Sequence, residues 1–262
     1  MISAFQATHP SSRKILIVGA GAVGQCYGFH LAMAGDRITY LIKPKYVSEV
    51  RSGFDVECLT GPYAGQHRFT QFDVVSDVAA VEDTFDEIWL AVSGPALKAA
   101  WFDTLMARAG TAVVVCLQPG LDVQSYCQAR IPDHNELVMG MIGFLSYQAP
   151  LPGEMGAPRM RWWFPPGSPS FFDDATAHAQ DVALRLNRGG CPARVRREVS
   201  TVSAFGSAIL VALVTVLELA GWSINRFMGQ AYRSRFRSVA LETVILVAPG
   251  RRWLIWLMTL LV

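Results

Sequence analysis

Charge is scarce in this chain. Only 17% of its 262 residues are charged, and the formal net charge is +2 at pH 7. So even a balance excludes the broad basic surface that nucleic-acid binding needs, and no nucleic acid is expected as a partner. Cysteine is sparse too. The five residues Cys26, Cys58, Cys116, Cys127 and Cys191 are odd in number and lack C-x-x-C spacing. That pattern argues against a disulfide framework or a zinc site and fits reduced thiols in the cytoplasm. No metal is expected. Met1 to Lys14 has no apolar core of the kind a signal peptide carries, so residues 1–13 are expected to be a disordered lead-in. A bilayer span takes about 20 apolar residues. Ser203 to Leu217 is charge-free but is followed by Glu218, and Trp253 to Val262 is fully apolar but shorter still. The first is expected to be a buried core helix. The second is expected to pack onto further chain or onto a second copy, which would make a homodimer through the helical domain. No membrane attachment is expected.

What the chain has is a sizeable apolar fraction, 52%, enough for one large or two modest domains. Ile15 to Val18 is short, uncharged and β-branched, as a strand buried on both faces should be. Gly19, Gly21 and Gly24 follow at G-x-G-x-x-G spacing, and Gln25 to Ala34 reads as a helix stopped by Gly35. Gly19 makes the tight turn, Gly21 lets backbone approach a pyrophosphate, and Gly24 lets helix and strand pack closely. The helix N-terminus adds free N–H groups and the positive end of its dipole. Gly19, Ala20, Gly21, Ala22, Val23 and Gly24 are therefore the expected cradle of a dinucleotide.

A second absence refines the choice of dinucleotide. In an NAD site a carboxylate stands about 20 residues past the glycines and takes the ribose 2′-OH. Here the second strand, Arg37 to Ile42, ends in Lys43-Pro44-Lys45. Cations without a carboxylate suit a 2′-phosphate, which favours NADP(H) over NAD or FAD.

Beyond this point strands and helices alternate. Phe54 to Phe72 is expected as a hairpin or two, and Val78 to Thr84 as a short helix. Glu87 to Val92 and Thr111 to Leu117 are expected as buried strands flanking a helix over Ala96 to Arg108. Leu137 to Tyr147 and Met160 to Phe164 read as strands, Asp173 to Asn187 as a helix, and Ala193 to Val199 as the last strand. Ser203 to Ala220 and Ile224 to Val247 are helical by pattern. The fold class expected is α/β: a doubly wound, mostly parallel Rossmann-type sheet over 14–197, then an all-helical domain over 198–262. Ligands of such sheets sit at the carboxyl ends of the strands. That rule gathers the glycine loop, Lys43, Val92-Ser93 and Gln118-Pro119-Gly120 into one crevice.

Those four strand ends, in this order, resemble the ketopantoate reductase (2-dehydropantoate 2-reductase) family, most clearly in the N-terminal half. The resemblance implies an NADPH-dependent reductase of a 2-keto acid, with substrate held between two domains. It implies cofactor contacts from Val92, Ser93, Gln118 and Pro119, beside the glycine loop and Lys43. It also exposes departures. The family carries a lysine where Ser93 stands and Gln-Asn-Gly where Gln118-Pro119-Gly120 stands. Its first long helix of the second domain opens with a lysine, the proton donor, followed by an asparagine four residues on; the best register puts Ser203 and Ser207 there. The family's helical domain is also longer.

A positioned general acid is worth about 10²–10⁴-fold, and a serine hydroxyl cannot replace an ammonium in that role near neutral pH. Glu218 lies eleven residues after Ser207, about three turns and roughly 16 Å along the same helix face, and is the candidate replacement acid. Tyr147 and the Trp162-Trp163-Phe164 cluster read first as packing groups, His30 and His178 as structural or solvated, and Cys116 as a small buried apolar group. Two readings stay open: an oxidoreductase acting on a small carbonyl or imine substrate, and an NADP-binding sensor or interaction subunit without catalysis.

Overall fold

Ile15, Leu16 and Ile17 are inaccessible to solvent because the sheet they belong to is covered on both faces. Ile15 and Ile17 share a core layer with Tyr27 and Leu31; Leu16 and Val18 share the opposite layer with Phe102 and Leu105. The computed structural model describes residues 12–81, 84–120 and 122–247. The first crossover joins β1 (Lys14–Val18), α1 (Ala22–Met33) and β2 (Arg37–Leu41), with the strands parallel and Ile15 opposite Ile38.

After α2 (Val47–Arg51), β3 (Phe54–Cys58) and β4 (Gly65–Phe69) make one antiparallel hairpin, with Phe54 opposite Phe69. No second hairpin forms over Phe54 to Phe72. Instead β5 (Phe72–Val75) turns back and pairs in parallel with β2, where the Phe72 ring packs on Tyr40 and Phe54. Val78–Ala80 is a single 3₁₀ turn; residues 82 and 83 of the helix expected there lie outside the described residues. Next come β6 (Glu87–Leu90), α3 (Gly94–Leu97) and α4 (Trp101–Met106). The single helix expected over Ala96 to Arg108 is thus two. At the break the Ala96 carbonyl accepts the Ala99 N–H at 3.3 Å and the Trp101 indole N–H at 2.9 Å, in place of the i+4 amide a continuous helix would offer it.

β7 (Val113–Cys116), α5 (Val123–Gln128) and β8 (Leu137–Met141) continue the parallel sheet. The apolar run Leu137 to Tyr147 is not one strand. The chain leaves β8 and enters a second sheet as β9 (Leu145–Ala149). The crossing at Gly143 is so tight that a Cβ there would lie 2.2 Å from the Pro169 carbonyl carbon. β10 (Arg159–Trp163) runs antiparallel to β9 and parallel to β3, giving a small sheet of order β4-β3-β10-β9. β11 (Ser170–Asp173), α6 (Ala177–Arg188) and β12 (Ala193–Arg196) then complete the main sheet, of order β12-β11-β8-β7-β6-β1-β2-β5. α6 begins four residues later than its pattern suggested because the Thr176 hydroxyl caps the Ala179 amide at 3.3 Å.

Among the described residues no strand follows β12. α7 (Val199–Leu219), α8 (Ile224–Phe227) and α9 (Gln230–Val247) follow, and α7 packs on α9 through Ala212, Val216, Phe236 and Ala240. Among the described residues α7 is not a buried core helix. It buries a narrow stripe that includes Ala208, Ala212 and Val216, while Leu210 and Val211 are exposed. By length and composition alone it is long and apolar enough to cross a bilayer. Most of the lead-in and the apolar end Trp253 to Val262 lie outside the described residues.

Candidate cofactor-binding site

β1 ends in a turn that only glycine permits. Gly19 has φ +100° and donates its N–H to the Leu41 carbonyl at 3.0 Å, tying the turn to the end of β2. A Cβ on Gly24 would sit 2.0 Å from the Gly19 carbonyl oxygen, so the helix can approach the turn only with hydrogen there. Gly21, in contrast, faces open space, with nothing within 4 Å of where its Cβ would be. It is the N-cap of α1 and offers no side-chain cap, and the first turn holds no acidic residue. The amides opening α1 therefore remain free to bind an anion. The Gln25 side chain, itself part of the cavity lining, donates to the Ala20 carbonyl at 2.8 Å and fixes the loop.

A cavity of about 800 Å³ opens over this loop. Gly19, Ala20, Gly21, Lys43 and Val92 line it, as do Ser76 and Trp101. The far wall comes from the 3₁₀ turn Pro44–Tyr46, from α2 and from the small sheet, which contribute Tyr46, Glu49, Asp55, Arg68, Gln148 and Arg159. Lys43 is exposed at the end of β2. Its neighbour Lys45 is turned over the Tyr46 ring, 4.7 Å from the centroid. An open cradle of main-chain amides, cations in the lining and a volume in the range of cofactor pockets fit a dinucleotide.

The other expected residues lie elsewhere. Ala22, Val23 and Gly24 stand behind the cradle, in the first turn of α1. Ser93 is exposed as the N-cap of α3, and Pro119 is exposed one residue beyond Gln118. Gln118 itself is buried and committed to protein groups. Its amide donates to the Leu90 and Val92 carbonyls at 2.8 and 3.0 Å, pinning the end of β6 to the end of β7. Cys116 donates to the Gln118 side-chain oxygen at 3.0 Å. Its hydrogen bond with Cys127 and its burial hold the thiol protonated, as befits a packing group. Ser203 and Ser207 are half-buried on α7, where the Ser207 hydroxyl donates to the Ser203 carbonyl at 2.8 Å. Glu218 is exposed in the last turn of α7, and none of these three lines the cavity.

The wall formed by the small sheet escaped the sequence reading. Nothing in the local pattern of Arg68 or Arg159 marks it as facing a crevice built from Gly19 to Gly21. Only the pairing of β3 with β10, residues more than a hundred apart, brings them there.

Fold and cradle together define a dinucleotide-binding protein of the Rossmann class. Residues 15–155, more than half of the chain, match the family model described as ketopantoate reductase PanE/ApbA, and the chain belongs to that family. It stands accordingly among the nicotinamide dinucleotide-dependent oxidoreductases. No curated protein sequence matches it. Among solved structures it is similar in fold to a 2-dehydropantoate 2-reductase from Methylococcus capsulatus (TM-score 0.68, 18% identity, covering 90% of this chain and 73% of that one). It is similar also to a PanE/ApbA family ketopantoate reductase from Ralstonia eutropha JMP134 (0.66, 22%, 88% and 72%). A third is a D-mandelate dehydrogenase in ternary complex with NADH and anilino(oxo)acetate (0.68, 16%, 91% and 74%).

Proposed function

We propose that the protein is an NADP(H)-dependent oxidoreductase whose substrate is a small carbonyl compound of the 2-keto-acid type, or the corresponding imine. The observation that carries this reading is the junction of the glycine cradle and Lys43 in one open cavity. The amides opening α1 would hold the diphosphate, and Lys43 would read the 2′-phosphate. Bound there, the nicotinamide supplies or accepts a hydride. Gln118 keeps the Val92–Ser93 turn in register beside the cradle through its two hydrogen bonds. The Trp101 ring, half-buried in the cavity wall, excludes water from the apolar side.

A second reading, cofactor binding without turnover, has one observation in its favour. Beside Val92 the cavity is lined by Ala96 and Trp101, neither of which can donate a proton to a nascent alkoxide. The titratable lining groups come from the end of β2, from α2 and from the small sheet. Following NADPH oxidation across a panel of 2-keto acids, aldehydes and imines separates the two. Sustained, enzyme-dependent oxidation with one of them supports the oxidoreductase; tight NADPH binding with no turnover across the panel supports the binding protein.

A further inference from the structure

Three cations line the cavity, and they are not equivalent. Arg68 is spoken for: one guanidinium nitrogen meets Asp55 at 2.8 Å and another donates to the Ser52 carbonyl. Lys43 projects from the end of β2 into solvent. Arg159, at the start of β10, is different from both. Its side chain is only 17% exposed, yet its nearest carboxylate, Glu57, is 3.8 Å from Nη1. The same Glu57 oxygen is held at 2.7 Å by Arg161, which also takes Glu154 at 2.9 Å. One guanidinium thus absorbs both carboxylates. Arg159 keeps a 3.3 Å bond from Nε to the Ala157 carbonyl, and its Nη2 has no partner among the described residues. A half-buried guanidinium whose counter-charge is 3.8 Å away and shared with Arg161 keeps hydrogen-bonding capacity for an anion that enters the cavity.

We infer that Arg159 is a specificity-determining residue for the cofactor: it reads the 2′-phosphate of NADP(H) from the small-sheet wall, together with Lys43. The inference rests on the NADP(H) reading above and adds to it a residue on a different structural element. Geometry and chemistry agree on the anion. Lys43 and Arg159 line the same cavity, on the side built from the end of β2, α2 and the small sheet. The planar fork of Arg159 suits the bidentate recognition that phosphate oxygens offer, whereas a ribose 2′-OH gives it little to hold. Glu49 also lines this region, and its exposed carboxylate disfavours an anion unless a nearby cation outweighs it. Arg159 and Lys43 together supply that excess.

The test is the ratio of NADH to NADPH dissociation constants, measured by titration for the wild-type protein, Arg159→Met, Arg159→Lys and Lys43→Ala. Arg159→Met is expected to weaken NADPH about tenfold while leaving NADH nearly unchanged, the loss of one charge-assisted contact. Arg159→Lys, which keeps the charge and the packing of the stem, is expected to recover part of the ratio. A wild-type preference for NADPH that Lys43→Ala reduces but both Arg159 variants leave intact overturns the Arg159 assignment alone. Equal weakening of both cofactors by both Arg159 variants does the same, because it marks a wall residue. A wild-type protein that binds both cofactors equally overturns the assignment together with the NADP(H) reading beneath it.

Discussion

His30 couples acid to the integrity of the cavity wall. It lies mid-helix on α1, 1% exposed, and each ring nitrogen is committed. Trp162 can only donate, so its indole N–H, 3.0 Å away, makes His30 Nε2 an acceptor; Nδ1 then carries the proton and donates to the Gly189 carbonyl at 2.7 Å. The ring thereby ties α1 to β10 and to the end of α6. Burial holds its pKa at about 4, below the ordinary 6.5. Because the folded-state pKa is lowered, the folded protein prefers the neutral ring. The stabilisation is complete above pH 6.5 and is lost as pH falls from 6.5 toward 4. The gap between those two values is worth about 3 kcal/mol at 1.36 kcal/mol per unit, with about 2 kcal/mol of it gone by pH 5. The assay is urea unfolding at a series of pH values for the wild-type protein and His30→Gln, which removes the titration. The wild-type advantage over the variant should shrink by about 2 kcal/mol between pH 7.5 and pH 5. A difference between the two that stays flat over that interval refutes the reasoning.

Other outcomes follow from the same structure. Gly24→Ala places a methyl 2.0 Å from the Gly19 carbonyl oxygen; it should cost about 3 kcal/mol in denaturant unfolding and abolish dinucleotide binding. Arg185→Met leaves Asp36 and Glu87 buried without the guanidinium they share, and should cost about 3–5 kcal/mol in the same experiment. Gln118→Leu orphans the Leu90 and Val92 carbonyls at the cavity edge; a loss of about 1–3 kcal/mol is expected, with weaker cofactor binding. Lys43→Ala should weaken NADPH about tenfold at low salt and less at high salt, since the residue is exposed and screened.

What could be read from the sequence was what local chemistry dictates. The strand Ile15 to Val18 and the three glycines are consecutive in the chain and carry their reason within a few residues, and Lys43 is found by its fixed spacing from them at the end of the next strand. The sheet change at Gly143 was hidden because apolar residues continue through it; only the approach of Pro169 shows why glycine stands there. Gln118 was legible as a strand-end polar group, but not as one whose amide is consumed by two main-chain carbonyls. The small sheet was opaque for a topological reason. β3 and β10 are neighbours in space and far apart in sequence, so no window of residues contains both Arg159 and the loop it faces. For α7 the sequence reading took an uncharged run for core, yet its larger side chains Leu210 and Val211 point outward and its alanines inward.

Occupation of the cavity above Gly21 by a phosphorylated dinucleotide is what the proposed function requires. Calorimetric titration of the intact protein with NADPH and with NADH tests this most directly. One NADPH per chain, bound more tightly than NADH, is the predicted result; no heat from either nucleotide, with the protein shown to be folded, would contradict it.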